Sequence, residues 1–188
     1  VDVFITNISK SRVTLRAIEN DFVAGDEKGT PSLILDENSY APTHSLKRFM
    51  TPIPNVTLEP GATKQVPVTI TVAKSAQAGG FYGALRFAPV DASGNASVSL
   101  SGSVSSLILL TVPGDLVQEL TLTNFDIKQK GTVGSNFRSP DNLEVDIRFA
   151  NKGNVHVAPI GQVNVKKGGK VIYRGKFNDT DPRGNVLP

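Results

Sequence analysis

The chain has 188 residues, no cysteine, 39% hydrophobic residues and a formal net charge of +3. This length allows one large or two small domains with a buried core, and the missing thiols exclude disulfides and thiolate metal sites. The basic clusters Lys47–Arg48 and Lys166–Lys167 are short and far apart in sequence, unlike the dense basic stripe with interleaved aromatics of nucleic-acid-binding proteins. We therefore predict no nucleic-acid partner, while weak attraction to an anionic wall polymer stays open.

The composition predicts an all-β protein, because Ser, Thr, Val and Gly are plentiful and helix-favouring stretches are missing. Exported bacterial domains of this size often lack disulfides, which favours a bacterial source. No apolar run approaches the roughly 18 residues that span a bilayer. The strand pattern at Val1 has no charged leader segment before it, so we expect any leader to have been removed.

The chain opens with two alternating segments, Val1–Asn7 and Val13–Ala17, separated by a polar break. This pattern predicts a hairpin. Acids follow in the looser segment 20–40, and carboxylates invite a calcium hypothesis. Their spacing matches no EF-hand, so we interpret them as solvated loop acids; they are Asp21, Asp26, Glu27, Asp36 and Glu37.

A short helical turn is predicted at Ser45–Met50, with Leu46, Phe49 and Met50 facing inward. His44 precedes this turn without a nucleophile or an acid beside it in sequence, so we interpret it as a surface or capping histidine.

The segment Thr57–Phe87 is predicted to form two antiparallel strands with a corner between them, at the middle of a β-sandwich. Apolar residues alternate along its first strand and return after Gly79–Gly80. Gly80 and Gly83 are expected to serve close backbone packing or positive φ, since no helix start for phosphate binding follows them. The predicted core includes Ile70, Leu85, Phe87, Ile108 and Leu110.

A long strand is predicted at Ala96–Val112. Val98, Leu100, Gly102 and Val104 should share one face, while a serine row from Ser97 to Ser105 faces water or a partner. Leu107–Leu110 is apolar on both faces, which indicates the covered centre of a sheet.

The pattern begins again after Pro113–Gly114, so we predict two immunoglobulin-like sandwich domains in tandem, at residues 1–113 and 114–188. Val145–Asn151 repeats Val1–Asn7 almost position for position, and a short strand with an exposed or interface histidine, His156, is expected after it. Glycines between Lys167 and Lys170 predict a hairpin turn.

The second domain is short for a sandwich of roughly 100 residues. We expect either that residues beyond both ends are missing or that a neighbouring molecule supplies a strand by β-augmentation, so that the free edge is paired.

Several of these segments together resemble the WxL-interacting protein family and its relatives on bacterial cell surfaces. They are Asp21–Phe22, Gly29–Pro31, Leu58–Gly61, Ala78–Ala84, Leu110–Gly114 and Asn151–Val157. The resemblance implies two immunoglobulin-like domains, peptidoglycan binding by the first and other surface partners for the second. Phe49 stands where that family usually has tryptophan, and Phe81 where histidine is common.

The predicted function is a non-enzymatic, extracellular binding module of the bacterial cell surface or wall. Its expected partner is a cell-wall polymer or a surface protein, and the alternative is a structural subunit that assembles through β-strand edges. No catalytic residues, cofactor, metal or small-molecule substrate are predicted, because the two histidines lie far apart and no nucleophile motif or phosphate loop is present. Tyr40, Tyr82 and Tyr173 could stack on sugars, although such tyrosines are more often core or corner residues.

Overall fold

The computed structural model describes residues 1–27, 29–90, 102–137, 139 and 141–188. The chain divides into two compact units. The first unit is Val1–Val23 with Pro31–Gly114, and the second is Ala24–Thr30 with Asp115–Pro188. Regular structure in the described residues is almost entirely β, apart from one 3-10 turn, and none of their helices is long and apolar enough to cross a membrane. The all-β prediction is therefore confirmed.

The first unit is built on a sheet in which β3 (Pro31–Leu33), β2 (Val13–Ala24), β6 (Gly79–Pro89) and β7 (Val104–Val112) lie side by side in that order. β4 (Val56–Leu58) pairs antiparallel with the start of β2. A separate pair joins β1 (Asp2–Thr6) to β5 (Thr63–Pro67). The predicted helical turn at Ser45–Met50 is confirmed as a 3-10 turn at Lys47–Phe49.

The predicted hairpin at the start of the chain is wrong, because β1 pairs with β5 while β2 pairs with β4 and β6. The two strands therefore belong to different sheets. The side chain of Asn7 organises the crossing between them: its amide nitrogen donates to the carbonyls of Ser11 and Leu58, and its oxygen accepts from Ser9 N–H. Alternation predicts a strand but not which neighbour that strand pairs with.

The predicted strand pair within Thr57–Phe87 is wrong in the same way, since β5 pairs with β1 and β6 pairs with β2 and β7. The alternation itself is confirmed: Val66 and Val68 are buried, while Pro67 and Thr69, each one residue further along, are exposed. β5 and β6 thus contribute to one core from opposite sheets.

That core contains Leu85, Phe87 and Ile108 as buried residues, with Ile70 and Leu110 partly buried against them. The five predicted core positions are confirmed. Leu46 and Met50, the residues directly before and after the 3-10 turn, are also buried in it, and Phe49 packs against it. A short turn can therefore close one side of the core with three apolar side chains.

The second unit contains β8 (Leu120–Gln129), β9 (Thr132–Val133), β10 (Leu143–Asn151), β11 (Gly161–Lys167) and β12 (Lys170–Phe177). β10, β8 and β9 form one sheet, and β11 pairs with β12 in another. The predicted glycine hairpin is confirmed: Gly168 and Gly169 connect β11 to β12 with φ of 56° and 81°, the left-handed region that a tight two-residue hairpin turn requires.

The internal repeat extends to side-chain hydrogen bonds. Asn151, the repeat of Asn7, donates from its amide nitrogen to the carbonyls of Val155 and Val186 and accepts from Gly153 N–H. Both asparagines thus bond four residues ahead, two residues ahead, and to a distant segment. The two units share this local construction, while two complete immunoglobulin-like sandwiches and the boundary after residue 113 stay predictions.

His156 departs from the prediction. The segment Val155–Val157 is no strand but holds a single bridge, between Val157 and Val186. Val155 is buried and His156 partly buried, and burial lowers the pKa of the imidazole below its ordinary value. The imidazole is thus partly buried and not exposed, since Val155–Val157 is not a regular strand that would alternate its side chains; the alternative, a position at a domain interface, stays a prediction.

Candidate functional site

The free side of β7 is the feature of the first unit most suited to binding. β7 runs antiparallel to β6 from Gly79↔Val112 to Phe87↔Val104, and among the described residues it pairs with no other strand. Alternate backbone N–H and C=O groups of an edge strand point away from its neighbour. They can hydrogen-bond an additional extended segment.

The side chains of β7 alternate between the core and the surface. Ile108 is buried and Leu110 packs against the core, whereas Leu107 and Leu109 are 42% and 36% exposed. The prediction that Leu107–Leu110 lies in the covered centre of a sheet is therefore wrong. A continuous apolar run normally indicates burial on both faces, but here it lies on a strand that, among the described residues, has a neighbour on one side only, and Leu107 and Leu109 are exposed.

The neighbouring strand β6 supports this exposed pair. Leu107 lies opposite Ala84 and Leu109 opposite Tyr82 in the ladder, and both β6 residues are buried. The Tyr82 ring packs against Phe22 with centroids 6.0 Å apart. The two leucines therefore stand at the border of a well-packed surface, which limits the ordering that binding would require.

Glycines on β6 permit close packing, as predicted. A Cβ at Gly83 would lie 2.9 Å from Leu46 Cβ, and one at Gly80 would meet the Tyr82 hydroxyl. Neither glycine is among the residues with positive φ. These glycines thus leave room for the side chains of Leu46 and Tyr82 to pack directly on β6, the strand next to β7.

The predicted serine face cannot be followed along its whole length, since residues 96–101 lie outside the described residues. In the part that is described, Val104 is exposed and Ser103 is half-buried. Val104 has the same parity along β7 as the core residues Ile108 and Leu110, yet its side chain is exposed.

His44 is partly buried and joins the segment before the 3-10 turn to β6. Its φ is 59°, its carbonyl accepts from Tyr82 N–H, and its Nδ1 lies 2.6 Å from the Gly80 carbonyl. The following segment continues to the 3-10 turn, where Phe49 packs edge-on against Phe81 at 5.1 Å between centroids. The two positions that depart from the WxL pattern are thus in contact.

The acids of segment 20–40 do not form a calcium site: the described residues contain no group of three His, Cys, Asp or Glu that could hold a metal. Asp21 is buried and binds backbone N–H groups, so its interpretation as a solvated acid is wrong. Glu37 pairs with Arg16, and Glu27 with Arg148. Hydrogen bonds from Ser39 and the Asn38 N–H lower the pKa of the Asp36 carboxyl.

The tyrosines fall into two groups. Tyr82 is a core residue, as such tyrosines usually are, whereas Tyr40 and Tyr173 are exposed. Tyr40 carries the cations of Lys47 and Arg48 over its ring, 4.9 and 4.5 Å from the centroid. Within the first unit, burial therefore keeps the Tyr82 ring from joining Tyr40 in a sugar-stacking surface.

No known family profile matches the sequence, and no curated protein matches it. Among solved structures, the chain is similar to one from a complex of a chaperone and a tip adhesin in CFA/I fimbriae biogenesis, with a TM-score of 0.50 and 15% identity over 100% of this chain and 74% of that one. It is also similar to the class 5 fimbriae chaperone CfaA, with a TM-score of 0.49 and 15% identity over 100% of this chain and 75% of that one. The first similarity shows a shared fold.

Proposed function

We propose that the chain is a non-enzymatic assembly protein of the bacterial cell surface that holds an extended segment of a partner protein along β7. The observation that carries this proposal is that β7, in the part of the chain the structure describes, pairs with β6 alone, while its Leu107 and Leu109 are exposed. An added strand would hydrogen-bond to the β7 backbone and place alternate apolar side chains beside these leucines.

Two further points support this role. An exposed apolar edge is an aggregation hazard that proteins usually cover or charge, so its presence is expected where it serves binding. The shared fold also agrees with the proposal, since the similar solved chain comes from a chaperone–tip adhesin complex of fimbriae biogenesis. We therefore specify the predicted protein partner as an assembly subunit that supplies an extended strand. The alternative is self-assembly through the same edge.

Binding to a cell-wall polymer, which the WxL resemblance implies, stays a separate prediction. Co-sedimentation of the chain with purified cell walls tests it independently of β7. Substitutions at Leu107 and Leu109 should leave any wall binding unchanged, since a polymer without backbone amides in register gains nothing from a strand edge.

The test of strand capture is a selection of random peptides displayed on phage against the purified chain. We expect enriched peptides to carry apolar residues at alternate positions, and we expect a selected peptide to slow amide exchange along β7. The variant Leu107→Glu/Leu109→Glu should bind that peptide at least about tenfold more weakly, because it loses apolar contact and gains charge at the edge.

The matched control is Phe4→Glu/Val23→Glu, which replaces two exposed apolar residues on other strands of the first unit. It should bind the selected peptide as the unmodified chain does. Enrichment without a period of two, or equal loss in both variants, would contradict capture along β7. Binding of a peptide copied from Val104–Val112 would favour self-assembly through the edge.

A further inference from the structure

The hairpin of β11 and β12 carries a concentrated positive charge. Between Asp146 and Asp179 the sequence contains no acidic residue. Exposed cations near the turn are Lys166, Lys167, Lys170 and Arg174. In the described part of the chain, none of these four takes part in a salt bridge, whereas Lys176 pairs with Asp179.

The register of the hairpin makes this charge unfavourable for the protein by itself. Lys167 and Lys170 are paired directly across the turn formed by Gly168 and Gly169. Like charges opposite each other on neighbouring strands destabilise the pair. An anionic surface in contact with the turn would relieve this repulsion, so the charge arrangement indicates an anionic partner.

Apolar side chains are exposed next to the same cations. Ile172 is 61% and Tyr173 63% exposed, and Val171 before them is also exposed. They follow the turn by two to four residues, so they lie within about 7–13 Å of it along an extended strand. A partner that binds the cations and also buries the exposed aliphatic side chains presents anionic groups above an apolar layer.

We propose that this hairpin docks on the surface of an anionic phospholipid bilayer. The cations would contact lipid phosphates, Ile172 would enter the acyl boundary, and Tyr173 would lie at the headgroup level, as amphipathic rings do. A nucleic acid or a soluble polyanion would use the cations and leave the aliphatic side chains without a role.

The first experiment is sedimentation of the full chain with vesicles of phosphatidylcholine, and with vesicles in which about a third of the lipid is phosphatidylglycerol. We expect binding to the anionic vesicles only. Lys167→Gln/Lys170→Gln should bind them about 30-fold more weakly, at roughly fivefold per cation lost. Ile172→Ser/Tyr173→Ser should bind about tenfold more weakly, and the exposed first-unit control Lys10→Gln/Lys74→Gln should bind like the unmodified chain.

The second experiment uses tryptophan as a reporter, since the natural sequence has none. Ile172→Trp should shift its emission to shorter wavelength on anionic vesicles, whereas Phe4→Trp, at an exposed site on β1, should not. Binding to heparin that fails only in the lysine variant, with no emission shift on vesicles, would overturn the proposal in favour of a polyanion site. Absence of binding to anionic vesicles would overturn it outright.

Discussion

Replacing Asp21 should lower the stability of the first unit, although this residue resembles a loop acid in the sequence. Its side chain is fully buried, with Oδ2 2.9 Å from Ala41 N and Oδ1 2.8 Å from Lys47 N. The carboxylate thereby ties the segment before the 3-10 turn to the end of β2. Asp21→Ala removes both acceptors and leaves two backbone N–H groups without them in a buried site.

Hydrogen bonds to charged groups contribute about 1.5–3 kcal/mol each, and removing the carboxylate recovers part of its desolvation cost. We therefore expect Asp21→Ala to lower the free energy of unfolding by about 2–4 kcal/mol. Asp21→Asn keeps the shape and one acceptor, so it should cost about half as much.

Urea unfolding followed by circular dichroism measures this change. The matched control is Asp36→Ala, because Asp36 also accepts from a backbone N–H, that of Asn38, but is exposed. It should lower the free energy of unfolding by much less than Asp21→Ala does. Equal, small losses for Asp21→Ala and Asp36→Ala would refute the reasoning that burial makes the Asp21 bonds important.

Two further substitutions test the core and the second unit. Leu85 is fully buried, so Leu85→Ala should cost about 2–5 kcal/mol through lost burial and a cavity, and an unchanged thermal midpoint would contradict that. Burial lowers the pKa of His156, so the unfolded chain binds its proton first as the pH falls. The neutral imidazole contributes its full stability above about pH 6.5, and this contribution decreases at lower pH. The free energy of unfolding of the unmodified chain and of His156→Gln, each measured at pH 7.5 and 5.5, checks this. Equal pH dependence of both chains would contradict it.

Much of the strand content could be predicted from local patterns. Alternation at Val66 and Val68 gave the correct buried face, and the paired glycines after Lys167 predicted the β11–β12 turn. Leu46, Phe49 and Met50 were assigned correctly because a helical turn brings positions i, i+3 and i+4 to one side. These features depend on a few neighbouring residues, which is why sequence is enough to find them.

Pairing could not be predicted in this way. The segments Val1–Asn7 and Val13–Ala17 look like a hairpin, yet they join different sheets, because partner choice depends on long-range packing. The roles of Asp21 and His44 were missed for the same reason: their partners are backbone groups 20 to 36 residues away in sequence.

The sequence by itself determined the all-β class, the repeat that ends in Asn7 and Asn151, and the absence of acids around the basic hairpin, since composition and period are local properties of the chain. Only the tertiary structure decided that the apolar run Leu107–Leu110 lies on β7, which in the described part of the chain is the last strand of its sheet. The same four residues would be core in the centre of a sheet, and the neighbours that cover or expose them come from distant parts of the chain. The candidate binding edge is therefore a product of strand order, which a period of two cannot encode.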